Sequence, residues 1–469
     1  MESKNILIIG AGIAGKLLKE DIEKNTSDVK VVGFIDDQEA IDPNMRLLGK
    51  INDLSKINDL YKIDEIIVAI PSANGSLMRK VILSDLNSRT PIRLVPRSQR
   101  VIGENDVKYS ELKNFELEDF LGRPFLKRNV EKLKKIYKNK VVFVTGGAGS
   151  IGSEIVKQLI DLNVRKVIVY DNSEYLVFNI DQDLKEKKVS QKKYKLIIGN
   201  ILNKQKVGEV LKKEKPDFVF HAAAYKHVYL MEENIDEAVV NNVIGTKNIV
   251  DCAVENRIEN FVFISTDKVV NPTSIMGSTK KLAEYYIKSL DGKKTNFNIV
   301  RFGNVINSNG SVLPLFEHQI EKQKYITVTH KNVRRFFMSI REAAQLVITS
   351  AIDENKDQIY ILDMGELINI YETALCLIRT KNLIPNEDVM INFIGLKKGE
   401  KMIEELFTEK EMENLIKTKM DNIFKLKNYD QCPMNINQII SNFEELIKLG
   451  AKHTKLRDYF IKIFPTLEK

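Results

Sequence analysis

Short apolar runs, each closed by a glycine-rich turn and followed by an amphipathic stretch, recur along the chain. Two are alike: "NILIIGAGIAGKLLKEDI" at the start, with Gly10, Gly12 and Gly15, and "KVVFVTGGAGSIGSEIVKQLI" from Lys140, with Gly146, Gly147, Gly149 and Gly152. The β/α alternation downstream of both predicts parallel sheets with helices on their two faces. "PDFVFHAAA" reads as a further strand ending in small residues, and "FVFIST" as the strand after it. "DKVVNPTSI" is expected to be a loop, because Pro272 disfavours helix immediately before itself. From about Met276 the stretch "MGSTKKLAEYYIKSL" has helical spacing, which puts Met276 and Lys280 on one face, four residues apart. The expected fold class is α/β, with two Rossmann-like doubly wound parallel-sheet domains, the second carrying a smaller C-terminal substrate-binding part.

The boundaries follow the same pattern. Residues 1–97 form the first domain, and residues 98–139 a connector containing "ELEDFLGRP" and the helical "NVEKLKKIYKNK". Residues 140–410 form the catalytic domain, with its substrate-binding part from about residue 305, and residues 411–469 a helical segment.

Composition narrows the class. The chain has 469 residues, 43% hydrophobic and 29% charged, the balance of a globular protein with two or three domains. No apolar run is long enough to cross a bilayer and no signal-peptide pattern opens the chain. Cys252, Cys376 and Cys432 are widely separated and match neither disulfide nor metal spacing, so buried free thiols in a reducing compartment are expected and no metal is predicted. The net charge of +8 includes the cluster "KEKKVSQKKYK", read as a solvated helix end and loop. No aromatic residues alternate through it, so nucleic acid is not an expected partner.

The two glycine-rich turns carry the first candidate chemistry. Glycines let a backbone approach a pyrophosphate, whose charge then sits at a helix N-terminus. In the second unit "RKVIVYDN" places Asp171 nineteen positions after Gly152, where a carboxylate accepts hydrogen bonds from an adenosine ribose. That acid repels a 2′-phosphate and no Arg follows it, so NAD is expected rather than NADP. Gly146, Gly149, Ser150, Ile151 and Gly152 line the turn; Asn200, Ala222 and Ala223 come from the following strand ends. The first unit also ends its second strand in acids, Asp36 and Asp37, but no acid–base set lies between Ile63 and Pro96. It binds a nucleotide for regulation, or nothing.

The second candidate is the end of "FVFIST", where Thr266, Asp267 and Lys268 would face the nicotinamide end of a bound NAD. Alone, such an acid–base pair reads as a surface turn. Beside Lys280 and the glycine-rich turn it reads as catalytic.

These motifs resemble the extended short-chain dehydrogenase/reductases, and within them the long-form UDP-N-acetylglucosamine 4,6-dehydratases of bacterial glycan synthesis, of the type that begins bacillosamine formation for N-linked protein glycosylation. "TGGAGSIGSE", "HAAAYKHV", "NNVIGTKN", "ISTDKVVNPTSIMGSTK", "RFGNV", "GSVLPLF", "FFMSI", "LDMGE" and "GEKMIEEL" carry the resemblance, in family order. It implies NAD as cofactor and UDP-N-acetylglucosamine as substrate. It also implies a homo-oligomer in the cytoplasm, held at the inner membrane only through an N-terminal region that this chain lacks. The superfamily's Tyr-x-x-x-Lys is here Met276 and Lys280, and a thioether cannot act as a base. Asp267 is therefore expected to deprotonate O4 and to protonate the departing C6 hydroxyl, Lys268 to take the C5 proton, Thr266 to bond O4 and Lys280 to bond the nicotinamide ribose. For Lys268 to act as a base its pKa must fall from about 10.4 by burial or a nearby cation. Lys226, His227, Asn304, Arg335 and Glu400 are expected at the UDP-sugar, with Arg335 on the diphosphate and Glu400 on the uridine ribose.

Departures from the family pattern include Lys397 and Lys398 where Arg-Pro is common, Tyr229 for a common Pro, and Asn200 where Asp often meets the adenine. A C5-inverting dehydratase, a 4-epimerase on a UDP-sugar, or a non-catalytic NAD- or UDP-sugar-binding regulator are the competing readings.

Overall fold

The computed structural model describes residues 3–468 apart from 39–41, 97–106, 116–118, 120–129, 291–293 and 354–356. The expected domain boundary at residue 97 and most of "ELEDFLGRP" lie outside the described residues; "NVEKLKKIYKNK" does form a helix, Val130–Tyr137. The chain divides into two compact units.

The first unit holds residues 1–125 together with 312–333 and 368–395. Its six-stranded sheet runs Leu47–Gly49, Val29–Ile35, Lys4–Ile9, Glu65–Val68, Ile92–Leu94, Lys113–Asn114, all parallel except the last pair. Central strands such as Glu65–Val68 are buried at every position, as expected of a parallel sheet covered on both faces. The helix Ile370–Thr380 is tied to this sheet's helical layer by a desolvated ion pair, with Arg379 Nη2 2.9 Å from Asp85 Oδ2 and both side chains fully buried. Arg379 also donates to the Asp85 and Thr90 carbonyls, and Asn58 donates to the Asp85 carboxylate. These hydrogen bonds are what a buried charge pair requires to be tolerated.

The second unit holds residues 126–311, 334–367 and 396–469. Its nine-stranded sheet runs Leu415–Lys417, Ile423–Leu426, Ile359–Leu362, Asn296–Arg301, Asn260–Ile264, Phe218–His221, Val141–Thr145, Lys166–Asp171, Tyr194–Ile198. The first two strands are antiparallel additions to an otherwise parallel sheet. Thr145, His221 and Phe263 stand in register, so the glycine-rich turn, the "AAA" segment and the Thr266 segment all leave the same carboxyl edge. Ligands of doubly wound sheets bind at that edge. "DKVVNPTSI" is not loop throughout: Asp267–Val269 closes a turn of 3₁₀ helix, capped by Thr266, before the chain opens to Pro272.

The helix Ile275–Lys288 is buried from Ile275 to Ile287. The chain's own C-terminal helices, Ile436–Lys448 and His453–Ile463, pack on it. Among the described residues, no helix is long and apolar enough to cross a membrane.

Candidate active site

The turn after Val141–Thr145 and the helix that follows it exclude a side chain at Gly146 and Gly152. Gly146 has φ +61°, and a Cβ there would lie 2.6 Å from the Ala223 nitrogen and 2.8 Å from the Ala222 carbonyl carbon. A Cβ on Gly152 would lie 2.0 Å from the Gly146 oxygen, so the helix Ser150–Asp161 can approach the strand only through glycine. Asp171 Oδ2 accepts the Ala148 N–H at 3.1 Å, which locks the turn against the next strand. Such a cradle, open to backbone N–H groups at a helix start, fits a pyrophosphate. Asn200 instead caps its own turn, accepting from the Leu202 N–H at 2.9 Å. The first unit repeats the device: the Ala11 N–H donates to Asp36 Oδ2 at 2.7 Å.

Asp267 is placed by its backbone N–H, which donates to the Phe302 carbonyl at 3.1 Å. Its side chain is buried. Oδ1 accepts from Thr266 Oγ1 at 2.9 Å and from Lys268 Nζ at 3.0 Å. Oδ2 has no partner among the described residues, although it is buried. A Cβ on Gly303 would come within 3.0 Å of it. An orphaned carboxylate oxygen in a buried site is costly unless a ligand takes it.

Lys268 Nζ also donates to Asn304 Oδ1 at 3.0 Å and lies 3.7 Å from Glu404 Oε1. Burial pulls its pKa down, but Asp267 and then Glu404 outweigh burial and hold the ammonium above the ordinary lysine value. The condition set from the sequence for a base, a lowered pKa, is therefore not met while both carboxylates are ionised. The Arg335 charge also works to lower it, but the two carboxylates prevail.

Arg335 is nearly buried and faces inward: Nη2 donates to Glu400 Oε1 at 2.8 Å, Nη1 to the Arg334 and Met402 carbonyls, and Nε lies 3.9 Å from Glu404 Oε1. The structure thus joins two residues expected at the diphosphate and at the adjoining uridine ribose. Glu400 also lines an open cleft of about 510 Å³ with Asn271, Thr273, Lys401, Met402 and Thr466. Lys226 Nζ donates to Ser308 Oγ at 3.2 Å; burial and then the Lys268 charge lower its pKa. His227 stands against Gly310, and burial followed by Lys226 lowers its pKa.

Lys280 is buried. It donates to the Ile264 carbonyl at 2.7 Å and lies 3.8 Å from the Phe263 ring centroid. Burial pushes it down to about 7. Met276, on the same face, is packed in the main core cluster.

Three residues were not legible as site residues. Glu404 lies between Ile403, which is 48% exposed, and Glu405, yet is itself 5% exposed, so the local pattern points the wrong way. Gly277 lets its helix reach the turn Asp267–Val269: a Cβ there would be 2.2 Å from the Lys268 carbonyl oxygen. Glu232 is fully buried and accepts the Ile275 N–H at 2.7 Å. A glycine inside the helical motif is the one available signal, and it marks Gly277.

Comparison with known proteins places this site in context. The model of the family described as polysaccharide biosynthesis protein matches residues 142–428, and one described as CoA-binding domain matches residues 2–96. The capsular polysaccharide biosynthesis protein CapD of Staphylococcus aureus is 35% identical over 96% of this chain and 77% of its own length. The probable polysaccharide biosynthesis protein EpsC of Bacillus subtilis is 37% identical over 87% of this chain and 69% of its own. Among solved structures, Pen from Bacillus thuringiensis is 31% identical, with a TM-score of 0.57, over 66% of this chain and 99% of its own.

Proposed function

The chain belongs to the polysaccharide biosynthesis protein family, and from that premise we propose that it is an NAD-dependent UDP-N-acetylglucosamine 4,6-dehydratase. The observation that carries the reading is the Thr266–Asp267–Lys268 cluster, with one carboxylate oxygen buried and unpartnered and no phenol at position 276. A 4-epimerase needs a base at O4 alone. A dehydratase needs a second acid–base function at C5 and C6, and adjacent Asp267 and Lys268 supply it.

In this reading Gly146, Gly149, Ser150, Ile151, Gly152, Asp171, Asn200, Ala222, Ala223 and Lys280 would hold NAD, which when bound would supply a reversible hydride acceptor for C4 and donor for C6. Thr266 orients O4, and Asp267 takes the O4 proton as the C4 ketone forms. The ketone acidifies the C5 hydrogen, which Lys268 removes. Asp267 gives its proton to the C6 hydroxyl, which leaves as water, and Lys268 returns a proton to C5 when the hydride comes back to C6. Lys268 acts as the free amine, its ammonium proton given to solvent before the elimination and regained from solvent at the end, so both residues finish in the protonation state in which they began. Lys226, His227, Asn304, Arg335 and Glu400 hold the UDP-sugar, the arginine fork suiting phosphate oxygens.

The test is incubation of the purified protein with UDP-N-acetylglucosamine in deuterated water, followed by mass spectrometry and NMR. Loss of water, a C6 methyl and deuterium at C5 are expected. An unchanged mass with inverted C4 would replace this reading with the epimerase.

A further inference from the structure

Glu404 is a buried carboxylate with no place in the cycle just described. Its Oε1 lies 3.7 Å from Lys268 Nζ and 3.9 Å from Arg335 Nε, so it stands between the proposed C5 base and the proposed diphosphate arginine. Arg335 is anchored on its other side by Glu400 and by two backbone carbonyls, which fixes the guanidinium against which Glu404 rests. Oppositely charged groups at such separations in a desolvated site shift each other's protonation strongly.

The groups facing Lys268 come from four elements. Asp267 shares its turn; Asn304 follows the strand Asn296–Arg301; Arg335 lies on the strand Arg334–Met338; Glu404 comes from the segment after Gly399. Lys226, after the strand Phe218–His221, adds a further cation close enough for the two ammonium groups to repel. Only Asp267 and Glu404 are anionic among these. Once Asp267 carries the O4 proton, Glu404 is the one carboxylate left facing the ammonium, against the combined pull of burial, Arg335 and Lys226.

We propose that Glu404 is a positioning residue that sets the working basicity of Lys268 during removal and return of the C5 proton. With Asp267 ionised, two carboxylates keep Lys268 protonated. Transfer of the O4 proton to Asp267 cancels one of them, and the ammonium becomes able to give its proton to solvent, and so to act as a base, only after the C4 ketone exists. Glu404 holds the remaining pKa up against burial, which at Lys280 outweighs the Glu284 charge and pushes that lysine down to about 7. A base that falls too far is too weak to take the C5 proton, and its conjugate acid does not persist to return it. The order of steps, oxidation before elimination, is then enforced by charge.

This inference rests on the dehydratase reading. The experiment is the pH dependence of deuterium incorporation at C5 for the wild type, Glu404→Gln and Glu404→Asp, with thermal melts and substrate-binding isotherms for each. In Glu404→Gln the ascending limb should move to lower pH by about one unit or more, the shift expected on losing an opposite charge at this range, with a lower plateau rate. Glu404→Asp keeps the charge on a shorter arm, and its limb should fall between the other two. Folded variants that bind substrate and give profiles superimposable on the wild type overturn the role of Glu404. If Glu404→Gln does not fold, Glu404→Asp decides alone, with no displacement as the overturning result. Failure of the dehydratase reading itself is distinguishable, because the wild type would then incorporate no deuterium at any pH.

Discussion

Arg457 Nη1 lies 2.6 Å from Oε2 of Glu232, and the other oxygen of that carboxylate accepts the Ile275 backbone N–H. The His453 ring bonds the Glu232 carbonyl at 2.7 Å, and Thr466 Oγ1 donates to the Pro272 carbonyl. The C-terminal segment therefore holds both the loop before the helix Ile275–Lys288 and the first turn of that helix, from a position remote in sequence. Acids at a helix N-terminus stabilise it, and here the acid is itself held by a cation.

Removing Arg457 leaves Glu232 buried without its partner. Arg457→Met should cost about 3–5 kcal/mol in urea unfolding, and the double variant with Glu232→Gln should recover part of it, because no unpaired charge then remains. A double variant no more stable than Arg457→Met would mean that the two side chains are not energetically coupled.

The approach of Gly277 to the Lys268 carbonyl predicts that one methyl group reaches the turn Asp267–Val269. In Gly277→Ala the helix or the turn must move, and a displacement near 1 Å at a site of this kind costs about 10²-fold in turnover. Initial rates on a variant shown by circular dichroism to be folded provide the check. Full activity would remove the close contact from the account.

Met276 is buried in the hydrophobic core, and a thioether has no proton to exchange. Met276→Leu conserves volume, should cost under about 1.5 kcal/mol and should leave turnover within a few-fold of the wild type. Asp267→Asn should reduce water loss by about 10²–10⁴-fold, the usual worth of a general acid–base group. The pair of rate measurements separates the two, and equal losses in both variants would contradict the assignment.

His221 is fully buried between Thr145 Oγ1 at 2.6 Å and Thr246 Oγ1 at 2.9 Å, and burial followed by the Lys280 charge pushes it down to about 3. A histidine kept neutral in the fold binds its proton only on unfolding as pH falls below its ordinary value of 6.5. Its stabilising contribution is thus complete above that value and is lost progressively toward pH 3, amounting to about 3 kcal/mol by pH 4.5. Unfolding free energies at pH 7 and 4.5 should therefore differ less in His221→Gln than in the wild type. An unchanged difference would show that His221 does not titrate with folding.

Much of this molecule was readable along the chain. The apolar runs place the central strands, and the spacing from Gly146 to Asp171 places a turn whose conformation only glycine tolerates and an acid that braces it. Asp267, Lys268, Met276 and Lys280 could be assembled from sequence because a strand end and the helix after it keep their residues close by covalent connection. The cap of that helix, Ser274, which accepts the Gly277 N–H, lies two residues before the start read from the spacing.

What tertiary structure alone decided are the partners from distant segments and the charges they set. Glu404 beside Lys268, Glu400 on Arg335, Arg457 on Glu232 and Arg379 on Asp85 each join residues far apart in the chain. No periodicity marks such residues, since an acid on a mixed polar stretch reads as solvated whether or not folding buries it. A hydrophobic pattern records which face turns inward; it carries no account of which charges meet there. The protonation of Lys268 follows from distances and desolvation at one point in space, and those exist only once the sheet edge, the strand Arg334–Met338 and the segment after Gly399 have come together.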